Sequence, residues 1–217
     1  MSEESVVLDK KGIEDAYWRY LLTEGKRPAS VFAFCEHVGL DEGAFYESYA
    51  GFEAIEASYW KRLIEETLEV LEKDEDYAEY PAEQKLLAFF YTFFAHVQKH
   101  RSRLVSYFPR PGLAGMKVLQ PMRNRFLEYA KGIVSEGLSE GTLADRKKLT
   151  EYYDRMMFEH FRVIIEYYRN DQSEGFADTD AFIEKTVRLA VDGARAGVLD
   201  SALDLARFMM RKLPSAK

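Results

Sequence analysis

Three observations predict an all-helical fold. Apolar residues recur at spacings of three and four along nearly the whole chain, the period at which one face of a helix meets a core. Runs that alternate apolar and polar residues, the mark of a half-buried strand, are absent. Glycine and proline gather near 25–28, 39, 74–81, 109–115, 137–141, 171–175 and 197, cutting the pattern into helix-sized pieces. With 217 residues, 47% of them hydrophobic, the chain is long enough for a small head and a larger body with a substantial core.

The pieces are read in order. Residues 11–23 form a first helix with Ile13, Tyr17, Tyr20 and Leu21 inward and Gly25 as its stop. A second helix starts at Pro28 or Ala29, where proline is tolerated in the first turn, and ends at Gly39. Asp41 is suited to cap a third helix over 42–48, because its carboxylate accepts from the orphan amides of the first turn. Residues 51–73 give a long fourth helix, with Ile55, Tyr59, Leu63, Leu68 and Leu71 inward. A fifth over 82–100 carries the stripe Leu86, Phe90, Phe93, Phe94 and Val97. Shorter pieces follow at 101–108 and 116–136. A long helix over 146–170 presents Leu149, Tyr153, Met156, Met157, Val163, Ile164 and Tyr167, and helices over 180–196 and 201–212 close the chain.

Charge is distributed unevenly. Residues 1–60 hold twelve acids and five bases, a balance of −7, while the remainder holds 25 of each. A surface built to meet nucleic acid has the opposite sign, because Lys and Arg must replace the counterions around phosphate. The N-terminus lacks the basic start and apolar run of a signal peptide, and the most apolar stretch, 86–97, is too short to span a bilayer. One cysteine, Cys35, forms no internal disulfide and is read as a buried core thiol. These features lead to an expected cytoplasmic location. His96 and His100 share a helix face, but no third ligand stands at metal-binding spacing, so no metal and no cofactor are expected. Nucleophile-elbow, phosphate-loop, dinucleotide-binding and zinc-protease patterns are absent, and the chain is not read as an enzyme.

The segment 28–55, PASVFAFCEHVGLDEGAFYESYAGFEAI, resembles the helix-turn-helix signature of the TetR family of regulators. Ser30, Val31, Phe34, Cys35, Val38, Gly39, Leu40, Asp41, Gly43, Phe45, Tyr46, Tyr49 and Ile55 carry the resemblance. EGLSEGTLADR is similar to the family's turn before its first dimerisation helix, and DTDAFIEKTVRLAVD to its penultimate helix. The resemblance implies a three-helix head over 1–50 and a helical ligand-binding and dimerisation body over 51–217. It places Lys26, Arg27, Ser30, Gly43, Ala44, Tyr46 and Tyr49 on the face that relatives turn toward DNA. It also puts Tyr59, Trp60, Leu63, Phe90, Phe93, Phe94, His96, Tyr107, Phe108, Met122 and Phe126 on helices that enclose a ligand pocket, although such residues also serve as ordinary core. Tyr153, Met156, His160, Ile164, Tyr168, Val187 and Val191 are assigned to a two-fold, four-helix interface of a homodimer, with packing inside one chain as the alternative.

The departures from the family pattern bear on function. Ala44 replaces a phosphate-binding hydroxyl, Phe52 replaces a lysine, and Glu42 and Glu47 stand where neutral or basic residues are common. Each carboxylate facing phosphate costs roughly 1 kcal/mol. The expectation is therefore a homodimeric TetR-like regulator that binds a small apolar ligand, with weak or lost operator binding and an acidic head free for a protein partner. Two alternatives stay open: a conventional ligand-responsive repressor, and a partner-binding module without a ligand.

Overall fold

The computed structural model describes residues 7–195. The final helix expected over 201–212, and the last residue of the one expected over 180–196, lie outside the described residues. Within them the regular structure is helical: α1 Lys10–Glu24, α2 Val31–Val38, α3 Glu42–Ser48, α4 Phe52–Leu71, α5 Ala82–Gln98, α6 Arg101–Tyr107, α7 Leu113–Ser139, α8 Tyr153–Asn170 and α9 Ala177–Ala194. Short 3-10 turns join them at Tyr77–Glu79, Lys147–Tyr152 and Glu174–Phe176. Among the described residues no helix is long and apolar enough to cross a membrane. Two compact units form, one from residues up to 67 with 94–125, the other from 68–93 with 126 onward.

Local chemistry sets the helix ends in the first unit. Asp9 accepts from the Gly12 amide at 2.7 Å, Ser30 from Ala33 at 3.0 Å and Asp41 from Ala44 at 3.0 Å, so each of the first three helices starts on a side-chain cap. Gly25 and Gly39 end α1 and α2 with φ of 69° and 70°, a left-handed conformation that only glycine adopts without strain. The core of this unit is aromatic. Phe34 of α2 lies 6.1 Å from Tyr17, 6.1 Å from Phe45 and 5.8 Å from Phe52, all edge-on. Trp18, rather than Tyr20, is the fully buried aromatic neighbour of Tyr17, and it meets Trp60 at 5.8 Å. The buried Glu14 is paired with Arg62 of α4. Tyr107 of α6 donates its hydroxyl to the Leu21 carbonyl at 2.6 Å, and that carbonyl also accepts the Gly25 amide.

The second unit is built on Phe161 of α8, which sits 5.6 Å from Phe89, 5.6 Å from Phe90, 4.8 Å from Phe93 and 5.0 Å from Phe126. Its inward face is Phe158, Phe161, Ile164, Ile165 and Tyr168, whereas Met156, Val163 and Tyr167, read from sequence as inward, are exposed. The outward face of α8 mixes these apolar residues with exposed Arg155, Glu159 and Glu166, so a single apolar residue there does not mark the inward stripe. The helix also starts seven residues later than the expected 146. Lys147 takes φ of 56°, which breaks a continuous helix, and Asp145 accepts from the Lys147 amide and the Thr150 hydroxyl. α7 runs from 113, across Pro121, where the sequence reading began it at 116.

The turn into α9 is organised by Asp171. Its carboxylate accepts from the amide and hydroxyl of Ser173 at 2.7 and 2.6 Å and from the amide and hydroxyl of Thr179 at 2.9 and 2.6 Å. Burial alone would raise its pKa, but these bonds outweigh that and hold it at about 2, below its ordinary 3.8. A depressed carboxylate pKa contributes stability above the unfolded value and loses it as pH falls through the folded value. Urea denaturation is therefore expected to show that Asp171→Ala costs on the order of 2 kcal/mol at neutral pH. The gap to the parent protein should narrow as pH falls from about 4 towards about 2.

Candidate functional site

Two regions concentrate chemistry that core packing does not use. The first is the outward surface of α2 and α3. From Val31 to Ser48 this segment contains Glu36, Asp41, Glu42 and Glu47 and no lysine or arginine. Phe32 and Tyr46 are exposed on it. Of the positions expected to face DNA, Lys26 is exposed. Arg27 is committed: its Nη2 and Nε donate to Glu56 at 2.6 and 3.0 Å, and Tyr17 donates to the same carboxylate at 2.6 Å. Burial would lower the pKa of Arg27, but Glu56 raises it on balance, so the guanidinium stays charged and paired. Ser30 has its oxygen engaged as the cap of α2. Gly43 is exposed, and a Cβ there would stand 2.7 Å from the Asp41 carboxylate that caps α3. Ala44 is half-buried, Tyr46 exposed, and Tyr49 buried with its hydroxyl donating to the Lys10 carbonyl at 3.3 Å. Phe52, at the expected lysine position, is half-buried and stacks on Tyr17 at 5.0 Å. Cys35 is buried, and burial, helped by nearby carboxylates, raises its thiol pKa.

The second region is an apolar cavity of about 310 Å³ in the second unit. Leu86 and Phe90 of α5, Ile133 and Val134 of α7, Met156, Met157 and His160 of α8, and Leu189, Ala190, Val191, Gly193 and Ala194 of α9 line it, with Leu143 and Leu149 from the connection before α8. Three side chains bring polar atoms. Arg146 donates to the Tyr153 hydroxyl at 2.8 Å and to the carbonyls of Ala194 and Arg195 at 3.2 and 2.7 Å, placing a cation at the negative end of α9. Tyr153 passes its own proton to the Ala144 carbonyl at 3.1 Å. The His160 Nε2 is buried and has no hydrogen-bond partner among the described residues. Its ring lies edge-on to Phe90 at 5.7 Å, and burial lowers its pKa, which favours the neutral imidazole.

The sequence-derived pocket residues divide between the two units. Tyr59, Trp60, Leu63, Phe94, His96, Tyr107, Phe108 and Met122 belong to the first, where Trp60 packs on Trp18 and Phe108. Phe90, Phe93 and Phe126 belong to the second and surround Phe161. Of the eleven, Phe90 alone lines the cavity. Arg146 and Met157 were not singled out as pocket residues, and Tyr153, Met156, His160 and Val191 were assigned to a dimer surface. The signal available for them was a connection carrying Arg146 next to an α8 whose outward face mixes apolar with charged residues. Of the residues assigned to the dimer, Tyr153, Ile164, Tyr168, Val187 and Val191 are buried within the chain's own core, His160 is half-buried and Met156 is exposed. The apolar residues left outward on α8 and α9 are Met156, Val163, Tyr167 and Leu189, with half-buried Phe182 stacked on Tyr167 at 4.1 Å. Among the described residues no group of three His, Cys, Asp or Glu side chains is placed to hold a metal ion.

A capped three-helix segment followed by long helices that line an apolar pocket defines a class of helical proteins with a helix-turn-helix head and a larger body. The model of the family described as tetracyclin repressor-like, C-terminal domain, matches residues 85–209, more than half of the chain. The chain belongs to this TetR-like family. Among solved structures, the fatty acid degradation regulator FadR from Bacillus halodurans is similar with a TM-score of 0.64 and 15% identity, over 86% of this chain and all of that one. No curated protein sequence matches.

The cavity has a mechanical signature. Leu86→Trp, which adds bulk toward open space, is expected to cost less than about 1.5 kcal/mol. Phe161→Ala, in the filled cluster, should cost about 3–5 kcal/mol. Equilibrium urea unfolding of the two variants checks the contrast.

Proposed function

We propose that this TetR-family regulatory protein is a homodimer whose helical body binds a small apolar molecule and whose head, residues 1–50, binds operator DNA weakly or not at all. The observation that carries the reading of the head is the run from Val31 to Ser48, with four carboxylates and no lysine or arginine. Phosphate contacts supply most of the non-specific affinity of a DNA-binding head, and each one needs a donor or a cation. Here the Arg27 guanidinium is engaged by Glu56, and Ser30, whose oxygen accepts from the Ala33 amide, is left with its hydroxyl hydrogen alone to offer a phosphate. Exposed Phe32 and Tyr46 among carboxylates suit a protein surface better than a phosphate backbone.

The ligand reading is supported by the cavity, whose size and mostly apolar lining match a small-molecule site. A fatty acid degradation regulator among proteins of similar fold is in keeping with an apolar effector. The homodimer reading is supported by the outward row of Met156, Val163, Tyr167, Phe182 and Leu189. Such a row on two antiparallel helices is covered in a four-helix interface.

Electrophoretic retardation of duplex DNA tests the head. The wild-type protein is expected to leave a random 30-base-pair duplex unshifted at 100 mM salt. The double variant Glu42→Lys, Glu47→Lys should gain at least tenfold in affinity, with a steep salt dependence. Recovery of one tight, salt-sensitive palindromic site by the wild-type protein from genomic fragments would overturn the reading in favour of a conventional repressor. For the dimer, light scattering should give twice the chain mass for wild type and the mass of a single chain for Val163→Asp. A wild-type monomer at micromolar concentration would remove that part of the proposal.

A further inference from the structure

The apolar cavity of the second unit is a half-open groove, and its wall includes exposed Met156 and Leu189. An apolar wall open to water calls for a cover. The described chain ends at the edge of this groove. α9 stops at Ala194, which lines it, and Arg195 takes extended backbone with φ −69° and ψ 154°, so the chain leaves the helix axis there. The exit is fixed on two sides. Arg146 donates to the Ala194 and Arg195 carbonyls at 3.2 and 2.7 Å. The Arg195 guanidinium reaches Glu83, in the first turn of α5, at 3.5 Å. Arg146 and Ala82, the neighbour of Glu83, are themselves groove residues. Residues 196–217 therefore start at the mouth of the groove.

The sequence of that segment suits the site. Gly197 permits a turn, Ser201 is fitted to cap a helix, and Pro214 to stop one. Between them Asp204, Arg207 and Arg211 recur at spacings of three and four and mark a polar face. At helical spacing Leu205, Ala206, Met209, Met210 and Leu213 fall opposite it. Three turns of helix extend about 16 Å, whereas the stretch of α8 from Tyr153 to His160 that lines the groove rises about 10 Å. Residues 196–200 span up to about 17 Å when extended, enough for the helix to turn back over the groove. The space of about 310 Å³ admits on the order of ten non-hydrogen atoms, at roughly 30 Å³ each. The side chains of Leu205, Ala206 and Met209 together are of that size.

Tethering decides between this occupant and a separate one. A short flexible tether gives an effective concentration in the millimolar range. A second copy or another protein at micromolar concentration is about a thousandfold less available to the same wall. We infer that the chain's own C-terminal segment, residues 196–217, docks in the groove and lays the face of Leu205 and Met209 on Met156, Met157 and Leu189. The docked segment covers the wall that a small apolar molecule would use, so the two compete. Only that competition rests on the ligand reading above.

Cysteine pairing in the full-length protein, with Cys35→Ser as background, tests the docking. Met157→Cys together with Met209→Cys should form a disulfide within one chain on mild oxidation, read on a non-reducing gel. Met157→Cys with Arg211→Cys, on the polar face, should link at least tenfold more slowly. Titration with the neutral fluorophore N-phenyl-1-naphthylamine tests the competition. The full-length double variant Leu205→Asp, Met209→Asp should bind it about threefold to tenfold more tightly than wild type, and Arg211→Asp should match wild type. A Met209→Cys link no faster than the Arg211→Cys control would overturn the inference. A link that joins two chains would also overturn it and give the groove to a partner copy. An intrachain link with fluorophore affinity unchanged or weakened in the double variant would overturn it too, placing the segment beside the groove. An intrachain link, with no fluorophore binding by wild type or double variant, would uphold the docking and remove the ligand reading.

Discussion

A carboxylate cannot be buried without donors, and Glu56 turns that constraint into the frame of the head. It sits one turn inside α4, 6% exposed, and gathers the Tyr17 hydroxyl from α1 and the Arg27 guanidinium from the segment before α2. Two parts of the chain, 39 and 29 positions before Glu56, are thereby fixed to one point. Burial first, and then this contact, raises the tyrosine's pKa, and the contact holds the arginine charged yet occupied. Removing the carboxylate would leave Tyr17, which is fully buried, in search of an acceptor. The aromatic packing of Phe34, Phe45 and Phe52 then closes around a frame whose polar centre is already satisfied. The pairing that stabilises the head thus also engages one of its few bases.

The second unit solves a different problem. Phe161 and its aromatic neighbours fill one region, with ring centroids 4.8 to 5.6 Å apart. Nearby, the walls stand apart and leave a cavity. Open apolar space forfeits dispersion contacts and has to be held open by something stiffer than side-chain packing. Arg146 is suited to that role. Its planar guanidinium spans from the Tyr153 ring to the last carbonyls of α9, and the Ala144 amide adds a bond to the Ala194 carbonyl at 2.9 Å. Two adjacent stretches of connection are thus stapled to one helix end.

Much of the fold was legible because local chemistry and hydrophobic period agreed. Asp41, Gly39 and Gly25 sit where the sequence placed a cap and two stops, and the inward residues of α4 and α5 follow the expected stripes. The reading lost its footing where apolar residues are scattered among the charged residues of an outward face. In α8, Met156, Val163 and Tyr167 compete with Phe158, Phe161 and Ile165 for the same role, and only packing partners from distant sequence decide between them. The start of α8 was illegible for a related reason. The left-handed turn at Lys147 is supported by Asp145 and by contacts of Arg146 that span 48 and 49 positions, which no local rule encodes. The cavity was invisible for the same cause, since an absence of atoms between helices leaves no mark in a list of residues.

The approach of Gly43 to Asp41 also limits what this surface can become. A side chain there would press on the end of the carboxylate that caps α3 and displace it from the Ala44 amide. The obstacle is a flexible side-chain end and not the backbone, so a larger residue at this position trades one capping hydrogen bond for new chemistry on the surface and leaves the course of α3 unchanged.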